Sequence, residues 1–138
     1  MTGAPSVLFV CVSNRGKSAM AEGLARALAA DTITSSSAGT EAKLGATPND
    51  LSVEVLAEVG ADISRHTPRQ LTDDLMRSAD LTVVVGTSAV VEGPDNSRVE
   101  VWDIDEPSAR GIEGIDRMRL IRDELVDRIN DLSRRLAS

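Results

Sequence analysis

Short unbroken apolar runs alternate along this chain with longer stretches whose apolar residues recur every three or four positions. Ser6 to Val12 reads Ser-Val-Leu-Phe-Val-Cys-Val, which leaves no polar face for water and predicts a strand buried on both sides. Leu81 to Val85 and Arg98 to Trp102 predict two more strands. The polar but β-branched Thr32 to Ser37 predicts another, followed by the turn-prone Ala38-Gly39-Thr40. Between them, Lys17 to Ala30 has helical spacing, with Met20, Leu24, Ala27 and Leu28 on one stripe. Pro48 to Val59 reads as a helix with Pro48 in its first turn and Gly60 just past its end, where a left-handed cap favours glycine. Ile115 to Leu136 carries Met118, Ile121, Leu125, Ile129, Leu132 and Leu136 at a period near 3.6, which predicts a long terminal helix.

Strands that alternate with helices predict an α/β fold, a parallel sheet flanked by helices on both faces. With no repeat, low-complexity tract or linker, residues 1–138 read as a single domain. In such sheets ligands bind beyond the carboxyl ends of the strands, so the ends of the first and fourth strands are the places to search.

Composition narrows the function. A net charge of −7 disfavours a general nucleic-acid or anionic-membrane binder, although a locally positive site could still hold a small anion. Phe9 and Trp102 are the only aromatic residues, so the core must be aliphatic. The single cysteine excludes an internal disulfide framework and a cysteine-rich metal site, and a lone thiol suits a reducing cytoplasm. Met1 to Pro5 lacks the positive flank of a secretory signal, and no apolar stretch approaches the ~20 residues of a bilayer span.

The candidate chemistry lies in Cys11-Val12-Ser13-Asn14-Arg15-Gly16-Lys17-Ser18. Five residues between Cys11 and Lys17 suffice to wrap one small anion, with backbone N–H groups and a helix N-terminus as donors. The same positive field favours the thiolate, the form that attacks. Lys17 adds a point charge, the Ser18 hydroxyl can donate to the sulfur, and Asn14 tolerates the left-handed backbone of a tight loop. Gly16-Lys17-Ser18 also ends the nucleotide-binding pattern G-x-x-x-x-G-K-[ST], but Cys11 occupies the place of its first glycine, and the strand Leu81–Val85 brings no aspartate for magnesium.

Val7 to Glu22 resembles the low-molecular-weight protein tyrosine phosphatase superfamily, and within it the arsenate reductases most closely. So do Ser37-Ala38-Gly39-Thr40, Val59 to Ser64 followed by His66 to Leu71, Ala79-Asp80-Leu81, and Trp102-Asp103-Ile104-Asp105-Glu106-Pro107. The resemblance covers nearly the whole chain. It implies a four-stranded parallel sheet, Cys11 as nucleophile, Asn14 as loop brace, Lys17 as oxyanion clamp and Ser18 as thiolate partner. It also implies a carboxylic acid beside Pro107 that protonates the leaving group. Lys17 stands where the family has arginine, which removes a planar fork; Arg15 could compensate. Position before the proline favours Glu106 as the acid and side-chain type favours Asp105, with Asp105 preferred.

The phosphatase branch of that family walls its site with aromatic residues after the Asp-Pro, whereas Ser108-Ala109-Arg110 follow Pro107 here. Trp102 is the single candidate wall, and core packing is the more economical role for it. A bare oxyanion, arsenate with phosphate as competitor, is therefore the expected substrate. The thioredoxin-linked arsenate reductases use further cysteines of their own; this chain has none, and Gly16 replaces the second loop cysteine. The resemblance thus points to an arsenate–mycothiol transferase, with mycothiol as co-substrate, a mycoredoxin as partner and no tightly bound cofactor or metal. His66 is a candidate contact for that thiol, against a plain structural role. A low-molecular-weight phosphatase and a non-catalytic oxyanion-binding module are the alternatives.

Overall fold

A computed structural model describes residues 3–137. Its strands β1 (Ser6–Cys11), β2 (Thr34–Gly39), β3 (Leu81–Val85) and β4 (Val99–Trp102) form one parallel sheet in the order β2-β1-β3-β4. The helices are α1 (Lys17–Leu28), α2 (Asp50–Ala57), α3 (Asp73–Ser78) and α4 (Gly114–Leu136), with a 3₁₀ turn at Pro107–Arg110. β1 is central and buried on both faces, which is why its sequence shows no alternation.

Helices cover both faces, but unequally. On one face Val7, Phe9, Val83, Val85 and Trp102 pack against Met20 and Leu24 of α1, Leu56 of α2, and the stripe Met118, Ile121, Leu125, Ile129 and Leu132 of α4. On the other, Leu8, Val10 and Ala38 meet Met76 of the six-residue α3. Each fully buried side chain of this size contributes about 1.5–3 kcal/mol against exposure, so the α4 stripe anchors the fold.

Several elements depart from what patterning predicts. β2 lies two residues later than expected, since pairing with β1 sets its register from Ser6↔Thr34 to Cys11↔Gly39. The supposed turn residues Ala38 and Gly39 are therefore strand. In α1, Ala27 and Leu28 face solvent and Ala21, Gly23 and Ala25 are buried instead. The helix lies so close to its neighbours that a Cβ on Gly23 would collide with the Ile63 side chain. Pro48 precedes α2 rather than opening it; the helix is capped by Asn49, whose side chain accepts from the Ser52 N–H. Gly60 does adopt the left-handed conformation, at φ +81°. α3 has no long apolar stripe to announce it, and is started by Thr72, whose hydroxyl accepts from the Leu75 N–H.

The order of strands also moves the crevice. β1 connects to β2 on one side and β3 to β4 on the other, so the chain reverses direction across the sheet between β1 and β3. The switch point therefore opens at the carboxyl ends of β1 and β3, not of β1 and β4.

Candidate active site

Cys11 ends β1, and the next residues swing round to Lys17, the first residue of α1. The loop's acceptors are turned outward. The carbonyls of Cys11, Val12 and Ser13 accept from the N–H groups of Thr40, Glu41 and Lys43. That of Asn14 accepts from His66, that of Arg15 from the Asn49 N–H, and that of Gly16 from the Met20 N–H. With its carbonyls engaged from outside, the loop can offer N–H groups to an anion without opposing oxygens. Gly16 precedes α1 at the cap position and offers no side-chain cap, and the first turn holds no acidic residue, so α1's own sequence leaves its orphan donors and positive dipole end open to an anion.

A buried polar network sets the loop's shape. Asn14 is fully buried with φ 59°, a left-handed conformation that costs most residues ~1–2 kcal/mol. Its amide donates to Ser18 Oγ at 2.8 Å and Ser37 Oγ at 3.0 Å, and its Oδ1 accepts from the Arg69 N–H at 2.9 Å. Since Ser18 Oγ already accepts from Asn14, its own proton is free for Cys11 Sγ, 2.9 Å away. Ser37 Oγ donates on to Glu22 Oε1. His66 Nε2 lies 2.7 Å from the Asn14 carbonyl, an acceptor only, so this nitrogen carries the proton. Gly39 is required by the close approach of two backbones: a Cβ there would stand 2.5 Å from the Val12 carbonyl oxygen and 3.0 Å from the Asn14 nitrogen.

Above Cys11 is a cavity of about 200 Å³, lined by Cys11, Val12, Ser13, Gly16, Lys17, Val85, Gly86, Ser88 and Ala89. None of its walls is aromatic. Phe9 and Trp102 are both in the core, 5.7 Å apart, and the Trp102 indole N–H donates to Glu100. A larger cavity of about 570 Å³ lies elsewhere, beside Glu22, Ser37, His66 and Arg69; Cys11 does not line it, so the smaller one is the candidate site.

The family model described as low molecular weight phosphotyrosine protein phosphatase matches residues 6–138. The chain belongs to this family. Among curated relatives, an arsenate reductase of Staphylococcus aureus (strain Newman) is 32% identical over 117 residues, spanning 83% of this chain and 87% of the relative. Arsenate reductase 1 of Staphylococcus epidermidis is 29% identical over 134 residues, 95% of this chain and 97% of the relative. Among solved structures, a low molecular weight protein tyrosine phosphatase from T. tengcongensis superposes with TM-score 0.81 at 28% identity, covering 96% of this chain and all of that one. A thioredoxin-dependent arsenate reductase of Corynebacterium glutamicum gives TM-score 0.78 at 29% identity. That match takes in 99% of this chain but only 63% of that protein's length.

Within the family framework, the predicted site residues fall into two groups. Cys11, Asn14, Lys17 and Ser18 are brought together at the loop. Arg15 is directed away: its Nε donates to the Thr47 carbonyl at 2.7 Å, so it does not replace the missing guanidinium fork. The Lys17 side chain lies beside Gly86, just past the end of β3; the positive φ of +90° is what favours glycine there, since a Cβ would meet Cδ and Nζ at an ordinary contact distance of 3.6 Å. Asp105 and Glu106 arrive from β4 on a loop fastened by α4. Arg128 donates to the Asp103 carbonyl, Glu124 accepts from the Asp105 N–H, and Arg117 binds Glu106. Of the two carboxylates the structure brings Glu106 to the site, with Oε1 3.6 Å from Lys17 Nζ. The preferred Asp105 instead points to Arg110 at 2.7 Å, and a hydrogen bond from that guanidinium lowers its pKa below the usual carboxylate range.

Sequence reasoning missed Glu22, Ser37, Arg69 and Arg117 as members of the site. Ser37 lay within a recognised segment, but its partner Asn14 is 23 residues away and only the β1–β2 pairing joins them. His66, weighed as a thiol contact, is a brace of the loop, one-tenth exposed, with Nδ1 3.9 Å from Glu22. Among the described residues no group of His, Cys, Asp and Glu is arranged to hold a metal ion, and no helix is long and apolar enough to cross a membrane.

Proposed function

We propose that this enzyme is an arsenate reductase of the thiol-transfer type, working with an external low-molecular-weight thiol of the mycothiol class in a reducing cytoplasm. The observation that carries the reading is a lone sulfur, Cys11, facing an anion-sized cavity with no aromatic wall and no second cysteine anywhere in the chain. The arsenate reductases among the relatives support the choice of anion.

The Cys11 thiolate attacks arsenic(V), forming an As–S bond as one hydroxyl, protonated by another hydroxyl of the same arsenate, leaves as water; the loop donors, α1 and Lys17 hold the remaining oxygens. Ser18 stabilises the thiolate before attack and again when Cys11 departs. The external thiolate then displaces Cys11 from arsenic, which transfers arsenic to the small thiol and restores the enzyme. A mycoredoxin thiolate attacks the sulfur of that adduct, forming a mixed disulfide, and arsenic leaves with the electron pair as arsenite. Two thiols are oxidised and arsenic falls from +5 to +3.

An arsenite-release assay comparing mycothiol plus mycoredoxin, glutathione and thioredoxin tests this. Release is expected with mycothiol plus mycoredoxin. Equal release with thioredoxin alone would refute the external small thiol. A second reading, a low-molecular-weight phosphatase, is favoured by the family model and the T. tengcongensis likeness; it predicts hydrolysis of aryl phosphates without any thiol.

A further inference from the structure

Glu106 reaches the edge of the Cys11 site in an arrangement unlike that of a proton donor. Its Oε1 accepts from Arg117 Nη2 and its Oε2 from Arg117 Nε, both at 2.6 Å, a two-pronged contact along the plane of the carboxylate. Oε2 also accepts from the N–H and Oγ of Ser108, at 3.2 and 3.0 Å, and Oε1 faces the Lys17 ammonium at 3.6 Å. Every neighbour of the carboxylate is a donor. Arg117 Nε and Nη2, the Ser108 N–H and Lys17 Nζ can only donate, so a carboxylic proton would have to displace one of these contacts or turn to Ser108 Oγ or solvent. The charged groups around it come from three elements: Lys17 from α1, Arg117 with Glu113 beside it from α4 and its approach, and Asp105 from the same loop, itself bound to Arg110.

We propose that Arg117 is a positioning residue that fixes Glu106 as a permanent anion beside Lys17, so that this loop tethers the ammonium clamp and gives no proton to the leaving group. Turnover is then confined to substrates whose departing oxygen needs no proton from the protein. This rests on Cys11 as the nucleophile and holds whether the anion is arsenate or phosphate. The thermodynamic bias agrees with the geometry: hydrogen bonds from Arg117 above all, opposed by desolvation, lower the Glu106 pKa to about 2. Lysine explains why the tether is useful. A guanidinium is oriented by its own planar fork, whereas an ammonium on a four-carbon stem is not, and a fixed carboxylate 3.6 Å away supplies the missing direction. With an aryl phosphate, an S–P bond forms, the P–O bond breaks, and the phenolate leaves with the electron pair to take its proton from water. Arsenate needs no proton from the protein because the departing hydroxyl can take its second proton from another hydroxyl of the same anion and leave as water.

The test needs two measurements. Carboxyl-labelled ¹³C NMR of the whole chain should show Glu106 unprotonated down to about pH 3. In Arg117→Met it should titrate near the ordinary ~4.3 of a glutamate, with Arg117→Lys between. The second is the ratio of kcat/KM for 4-nitrophenyl phosphate to that for phenyl phosphate at pH 5, which reports the step that expels the aryl oxide rather than breakdown of the shared cysteinyl phosphate; comparing the ratio between the two proteins cancels the titrations of thiol and phosphate. Wild type should favour the nitrophenyl ester strongly, and Arg117→Met, in which about a sixth of Glu106 is then protonated, should narrow the ratio at least tenfold. A wild-type Glu106 that titrates at 4 or above, or a ratio unmoved in Arg117→Met, overturns the proposal. Aryl phosphate turnover absent from both proteins overturns the leaving-group restriction, since removal of Arg117 should have created it.

Discussion

Asn14→Ala should remove the part on which the loop depends most. It deletes three hydrogen bonds made by a fully buried side chain, to Ser18, Ser37 and the Arg69 N–H. At about 1 kcal/mol each these account for ~3 kcal/mol. It also leaves alanine at φ 59°, which adds ~1–2 kcal/mol of left-handed strain. The expected destabilisation is about 4–5 kcal/mol out of the ~5–15 available to a domain, a fall in Tm of roughly 12–20 °C. Asn14→Gly separates the two causes. Glycine adopts the left-handed conformation freely but gains ~0.5–1 kcal/mol of unfolded-state entropy, so it should be about 0.5–1 kcal/mol more stable than alanine, yet far below wild type. Urea unfolding of the three proteins at constant m-value measures both differences. An alanine variant at least as stable as the glycine one would refute the backbone argument. A loss below ~1.5 kcal/mol in both would refute the network.

Lys17→Ala should weaken arsenate and phosphate binding by about 1.5–3 kcal/mol, roughly tenfold to a hundredfold, and Lys17→Arg should tighten binding; both are read from how well the anion protects Cys11 from iodoacetamide. Gly39→Ala should displace the loop, since its Cβ would lie 2.5 Å from the Val12 carbonyl oxygen, and a shift of ~1 Å at the nucleophile should cost on the order of 10²-fold in turnover, measured by arsenite release. Glu58, held at about 2 by hydrogen bonds from Arg119 and then Arg122, makes stability depend on acid pH. Its folded pKa lies below the unfolded value, so its contribution is complete above ~4.5 and disappears as pH falls through about 2. Urea midpoints of wild type and Glu58→Gln should therefore differ at pH 7 and converge at pH 2.

Local patterning carries the sequence a long way here. A short unbroken apolar run rich in valine fits a strand covered on both faces, and the α4 stripe fits a helix lying on a core, so the α/β class follows from run length and periodicity together. Cys11, Lys17 and Ser18, proposed as nucleophile, clamp and thiolate partner, lie within eight consecutive residues, so closure of one loop between a strand and a helix keeps them close, although Ser37, His66 and Arg69 from elsewhere brace that loop through Asn14. What tertiary structure decided is everything that depends on which distant segments meet. Pairing with β1 shifted β2 by two residues and so put Ser37 beside Asn14 and Gly39 beneath the loop. The strand order opened the crevice between β1 and β3, where Lys17 lies beside Gly86. The choice between Asp105 and Glu106 was undecidable from their adjacency, because neighbouring side chains on an irregular loop diverge in directions set by their partners. Arg110 took one and Arg117, reaching across from α4, took the other, and a residue eleven positions away that no motif marks thereby determined which carboxylate faces the site.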